Sequence, residues 1–168
     1  LTSLRTAKSV VFPKRLKHLY LDSLESPEGL VLPESLQILE LHHLTSAKGV
    51  KFPKDLEELC IPKLQNLEGV IFPGSLKGLS LDSLAKIEDF AFPQSLEYIR
   101  LSSVKFAKNV TFPEEMDFLH LGSLASARGI IFPKKLNELY LTGLETTEGF
   151  VPPEISKRII FSCRQAAL

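Results

Sequence analysis

Apolar and polar residues follow a pattern along this chain that returns every 20 residues. Pro13, Pro33, Pro53, Pro73, Pro93, Pro113, Pro133 and Pro153 mark it, with no insertion or deletion between them. One period reads LDSLESPEGLVLPESLQILE and another LGSLASARGIIFPKKLNELY. The shared template is L-x-x-L-x-x-x-x-G-V-x-F-P-x-x-L-x-x-L-x, joined end to end. A unit this short cannot bury its own apolar face, whereas stacked copies can. The period therefore predicts a solenoid.

Each column of the repeat has a local meaning. Leu16, Leu19 and Leu21, like Leu76, Leu79 and Leu81, end in Leu-x-Leu, a period of two that predicts a strand with one buried face. The strand is expected from about Leu16 to Asp22 and once per coil. Strands repeating in one direction around a solenoid are parallel. A Ser column (Ser23, Ser83, Ser103, Ser123) follows and offers hydroxyls for the turn backbone. Gly29, Gly49, Gly69, Gly129 and Gly149 mark a second corner, where Asp89 and Asn109 substitute as residues that tolerate a left-handed backbone. Beyond it, Val-x-Phe-Pro is extended, because Pro keeps the preceding residue out of the helical region. Phe12, Phe52, Phe72, Phe92, Phe112 and Phe132 share one column and predict a stacked aromatic spine. A spine of this kind leaves the convex side room for extended segments or single turns, not long helices.

Leu16-Lys17-His18-Leu19-Tyr20-Leu21 and its counterparts resemble the L-x-x-L-x-L core of leucine-rich repeats, over essentially the whole chain. The short period and the Pro before the strand look most like the bacterial-effector repeats of the Yersinia outer protein M and IpaH type. Phe92-Pro93-Gln94-Ser95-Leu96 is also similar to FNIP repeats. The resemblance implies a mainly β, right-handed leucine-rich-repeat solenoid with one parallel concave sheet and extended or single-turn convex segments. It also implies a single domain over 1–168, of eight 20-residue repeats. The family usually carries Asn three residues after the last strand Leu. Here that column is Leu24, Leu44, Leu64, Leu84, Val104, Leu124 and Leu144, so an apolar ladder replaces the polar one. The chain begins at Leu1 without Met or a signal peptide, and reads as a fragment of a longer protein. Its last coil drifts at Pro152, Ser156 and Phe161-Ser162-Cys163, as a cap or a junction would.

Charge narrows the functional classes. Twenty basic and 20 acidic side chains give a formal charge of zero, which argues against binding nucleic acid or an anionic membrane through bulk charge. No apolar run approaches the length of a membrane span. Two cysteines make no disulfide framework and permit a cytoplasmic setting, or delivery into a host cell for an effector. Lys8, Glu28, Lys48, Glu68, Glu88, Lys108, Arg128 and Glu148 form a convex column of mixed sign, suited to solubility and weak pairing. Asn109-Val110-Thr111 is an isolated glycosylation sequon.

Chemistry is sparse. His42 and Cys60 are expected roughly 7–8 Å apart on neighbouring strands. They are a conceivable nucleophilic pair, but Glu40 and Glu58 beside the thiol would disfavour its ionisation. His42 and His43 point to opposite faces of a strand, so a metal site there is not expected. Asp22 and His42 form a surface cross-strand pair more simply. There is no phosphate loop, dinucleotide fingerprint or zinc spacing, so neither a cofactor nor an enzyme activity is expected.

The outward strand positions vary freely while the buried ones do not, which suits a reading surface. Tyr98, Arg100, Phe118, His120 and Tyr140 fall on three consecutive strands, and the small Ser102 and Gly122 beside them are expected to leave a shallow floor. Tyr and Arg are over-represented at binding hot spots. A second, acidic region at Glu40, Glu57 and Glu58 would favour a basic partner. The expectation is a protein–protein recognition module that binds its partner on the concave sheet, as the targeting part of a bacterial effector would. The alternative is a structural spacer or surface-displayed array.

Overall fold

The computed structural model describes residues 4–163. In chain order its strands are β1 (His18–Tyr20), β2 (Ile38–Glu40), β3 (Glu58–Cys60), β4 (Gly78–Ser80), β5 (Lys86–Ala91), β6 (Tyr98–Arg100), β7 (Phe106–Thr111), β8 (Glu115–His120), β9 (Ile130–Ile131), β10 (Lys135–Leu144) and β11 (Glu154–Cys163). No helix occurs among the described residues. One eight-stranded sheet runs β1-β2-β3-β4-β6-β8-β10-β11, and a three-stranded sheet runs β5-β7-β9. Every pairing is parallel, and residues one period apart sit side by side, as in His18↔Ile38, Gly78↔Tyr98 and Arg100↔His120. The chain is a mainly β solenoid whose coil is the 20-residue period.

The strands differ in length from the expected span of Leu16 to Asp22. The first four are three residues each, although their ladder continues outside them. Gln37 donates to the Lys17 carbonyl at 2.8 Å and Leu21 to that of Glu40 at 2.9 Å. Tight turns close both ends: Leu16 N–H bonds the Pro13 carbonyl at 3.1 Å, and Leu24 bonds Leu21 at 3.4 Å. Pro13 opens the first of these turns and keeps the residue before it extended as the chain enters.

The second corner has a left-handed backbone in all eight coils. Gly29, Gly49, Gly69, Gly129 and Gly149 have φ of 64–78°, and Asp89, Asn109 and Ser9 share the conformation. How each coil enters this corner depends on a residue three positions earlier. In five coils the side chain of Ser26, Ser46, Asn66, Ser126 or Thr146 accepts a hydrogen bond from the N–H two residues on. That local bond offers the backbone an alternative to a ladder. Two coils have Lys86 and Phe106 there instead, and those segments extend into β5 and β7. The convex row is thus a true sheet in part of the array, and it begins earlier than Val-x-Phe-Pro.

A different column, just past the proline, supplies hydroxyls to the backbone of the preceding coil. Ser35 lies 2.8 Å from the carbonyl oxygens of both Lys14 and Leu16 on the preceding coil. Ser75 does the same at Lys54 and Leu56, and Ser95 at Leu76.

The core is continuous along the array. Leu24, Leu44, Leu64, Leu84, Val104, Leu124 and Leu144 are fully buried, so the apolar ladder occupies the interior. The phenylalanine spine forms with one change. Phe52 stacks on Phe72 at 6.2 Å and Phe92 on Phe112 at 5.3 Å, but Phe90 wedges between Phe72 and Phe92 at 5.9 and 5.0 Å. Leu32 interrupts the column beside Phe12, and Phe52 and Phe132 are only partly buried. The last coil keeps strand pairing through shifts in register, while Phe161 stacks on Phe150 at 5.7 Å.

The convex charge column pairs coil to coil: Lys8 with Glu28 at 2.9 Å, Lys48 with Glu68 at 2.5 Å, and Arg128 with Glu148. These pairs are well exposed and contribute little to stability.

Candidate functional site

The outward face of the eight-stranded sheet carries its side chains in rows, because parallel pairing without slippage sets equivalent positions side by side. One row runs Ile38, Glu58, Gly78, Tyr98, Phe118 and Glu138. The next runs Tyr20, Glu40, Cys60, Ser80, Arg100, His120 and Tyr140. In the middle of these rows, on β3 and β4, the residues become small. A groove of about 640 Å³ opens there, floored by Cys60, Gly78 and Ser80. Tyr20, Ile38 and Glu40 line one side, and Tyr98, Arg100 and Phe118 the other.

Five of the eight residues expected at the site therefore border one groove: Glu40, Glu58, Tyr98, Arg100 and Phe118. His120 and Tyr140 continue from Phe118 as a ridge. Phe118 and Tyr140 centroids are 5.3 Å apart, His120 and Tyr140 5.5 Å, and Phe118 and His120 6.3 Å. Arg158 donates to the Tyr140 hydroxyl at 3.2 Å and fixes the ridge's far end. Tyr98 remains 48 % exposed, so its ring is available as a contact surface.

The expected floor was misplaced. Ser102 and Gly122 do not form an open shelf. Ser102 donates to the Asp82 carboxylate at 2.5 Å, and the His120 ring covers Gly122, whose added Cβ would lie 2.7 Å from Nε2. The true floor, with Tyr20 at its border, escaped sequence reasoning. Its signal was available: Cys60, Gly78 and Ser80 are the small residues that adjoin in two neighbouring rows.

Gly78 is buried despite its outward position, because the Glu58 carboxylate lies across it. A Cβ there would sit 1.8 Å from Glu58 Oε2. Burial, followed by the nearby Glu57 and Glu97, pushes the Glu58 pKa above its ordinary 4.5. Outward positions thus vary freely in identity yet pack on each other across the strands.

Other candidate chemistry is committed elsewhere. His42 Nδ1 is 2.7 Å from Asp22 Oδ1 and its Nε2 is 3.0 Å from Glu40, so both ring nitrogens face carboxylates and not Cys60. His43 bonds the Asp22 backbone carbonyl, so the two imidazoles do not converge on a metal. No cluster of three or more metal-ligating side chains occurs among the described residues. Burial and then Glu40 raise the Cys60 pKa, which keeps it a poor nucleophile near neutrality. Ser102, Asp82 and His120 are neighbours, but the serine proton points to Asp82 while His120 Nδ1 is 3.4 Å away. An acyl-transfer triad needs the reverse, with His holding the serine and Asp holding His. Burial and then Arg100 lower the His120 pKa, which favours the neutral ring. Asn109, in the sequon, donates to Asp89 at 2.8 Å.

Comparison with known proteins yields no matching family model, curated protein or solved structure.

Proposed function

We propose that this chain is a protein-recognition module of the leucine-rich-repeat type, which binds a partner along the outward, concave face of its eight-stranded sheet. One observation carries the reading. A groove with aromatic sides at Tyr20, Tyr98 and Phe118 and charged corners at Glu40, Glu58 and Arg100 crosses an otherwise regular array. A few precisely shaped polar groups among apolar walls are what a binding surface needs for orientation and affinity. The Phe118–His120–Tyr140 ridge extends the contact area beyond a single pocket. By resemblance, a targeting role in a bacterial effector fits the same surface, with any catalytic function carried elsewhere.

The test is affinity capture with chemical cross-linking, comparing the parent with Tyr98→Ala/Arg100→Ala and with Lys108→Ala/Arg128→Ala on the opposite face. Thermal melts check that both variants fold. The expected result is one cross-linked partner, lost only in the first variant. A partner lost only in the second means that the convex face binds it. Capture of none by the folded parent favours the spacer role.

A further inference from the structure

The groove has a charge sign that the chain as a whole lacks. Acidic and basic side chains balance at 20 each overall. Two carboxylates, Glu40 and Glu58, border the groove against one guanidinium, Arg100. Glu57 and Glu97 add negative field at Glu58, and Asp82 and Glu40 add it at Cys60. Lys77, whose charge is felt at Glu58, is already engaged with Glu57 at 3.0 Å. No ion pair among the described residues involves Glu58.

Glu58 is also held in an unusual place. An exposed glutamate on a strand ordinarily reaches into water. Here the absent side chain at Gly78 lets the carboxylate lie flat on the groove floor, beside the Tyr98 position one strand further on. A negative group set low between apolar walls is suited to a long side chain whose stem is apolar and whose tip is cationic.

We infer that the partner segment bound here is basic: an arginine or lysine enters the groove with its stem against Tyr98 and its charge on Glu58. The inference rests on the recognition reading above and names the chemistry recognised. Arginine fits best, because its planar guanidinium stacks on an aromatic face while pairing with a carboxylate. Glu40 stands across Cys60 as a second acceptor for the same charge, and Arg100 on the other side excludes a cation from drifting toward Phe118.

The test uses a capped Leu-Arg-Leu peptide and its citrulline counterpart, which keeps the shape but removes the charge and exchanges one nitrogen donor for a carbonyl oxygen. Amide resonances of Gly78 and Ser80 report groove occupancy in the intact chain at neutral pH. The arginine peptide should shift both resonances and bind roughly tenfold or more tightly than the citrulline peptide, the range for a hydrogen-bonded charged group. Glu58→Gln should abolish that preference while melting no lower than the parent, and Glu40→Gln should reduce it. Equal binding of the two peptides in the groove overturns basic specificity but leaves recognition standing. Groove resonances that neither peptide moves at millimolar concentration overturn basic specificity as well, and the capture experiment then decides recognition separately.

Discussion

Phe92 is the residue whose loss should matter most to the array. It is 2 % exposed, stacks on Phe112 at 5.3 Å with planes 7° apart, and meets the edge of Phe90 at 5.0 Å. Phe92→Ala removes the buried ring and leaves a cavity, which costs about 3–5 kcal/mol. Phe92→Leu keeps much of the apolar area but forfeits two ring pairs. At about 0.5–1.5 kcal/mol each, that is roughly 1–3 kcal/mol. A chain of this size loses about 2–4 °C of Tm per kcal/mol, so the alanine variant should melt roughly 6–20 °C lower. Contacts in a solenoid are local, so the damage should be local too. Amide exchange at Leu81 and Leu101, which donate to Arg100 and His120, should accelerate more than at Leu21, which donates to Glu40. Differential scanning calorimetry and hydrogen exchange read both effects. Phe92→Ala melting within about 2 °C of the parent would refute the buried spine. Equal acceleration at Leu21 and Leu101 would refute the quasi-linear coupling.

Two further substitutions separate backbone from packing, and one tests charge. Gly49 has φ of 78° and open space around its missing Cβ, so Gly49→Ala should cost about 1–2 kcal/mol through conformation alone, whereas Gly74→Ala, with equally open space and no left-handed φ, should be neutral or stabilising in urea unfolding. Glu58 has a folded pKa above its ordinary 4.5, so the fold favours its protonated form; that contribution is fully present below about pH 4.5 and is lost as pH rises through the folded pKa. Glu58→Gln should therefore be more stable than the parent at neutral pH and indistinguishable from it near pH 4 in urea midpoints, and a gain of the opposite pH dependence would contradict the burial argument.

The solenoid was legible because its buried columns repeat without slippage. Leu19, Leu39, Leu59 and Leu79 can be buried together only if each period forms the same coil. The left-handed corner was legible for the same reason: Asp89 and Asn109 take the place of Gly at φ of 49° and 52°. Ser9 shares the conformation, yet serine carries no sequence signal for it. The uneven convex sheet was harder to read. It depends on whether a single residue per coil, Ser46 or Lys86 for example, captures a backbone N–H. The groove was only half legible. Large residues such as Tyr98 and Phe118 announce an outward surface, but a depression is made by what is missing. Its shape depends on how neighbouring side chains fold into the gap, as Glu58 does over Gly78 and His120 over Gly122. Pairing register alone does not reveal that.

Gly78 is accordingly the position where one methyl group should separate fold from site. An alanine Cβ would fall 1.8 Å from Glu58 Oε2 and 2.6 Å from its Cδ, far inside contact distance. The obstacle is the end of a flexible side chain, not backbone, so Glu58 can swing into water at little cost. Alanine in a strand interior is itself better than glycine by roughly 0.5–1 kcal/mol. The fold of Gly78→Ala should therefore keep the parent's stability within about 1 kcal/mol. The site should not survive the change. Released from burial, the Glu58 carboxyl should titrate closer to its ordinary 4.5, which carboxyl chemical shifts follow directly. Arginine-peptide binding should fall with it, because the carboxylate no longer lies on the groove floor. If Gly78→Ala folds, and Glu58 still titrates as in the parent, then Gly78 does not hold the carboxylate down, and the groove's acidity has another origin.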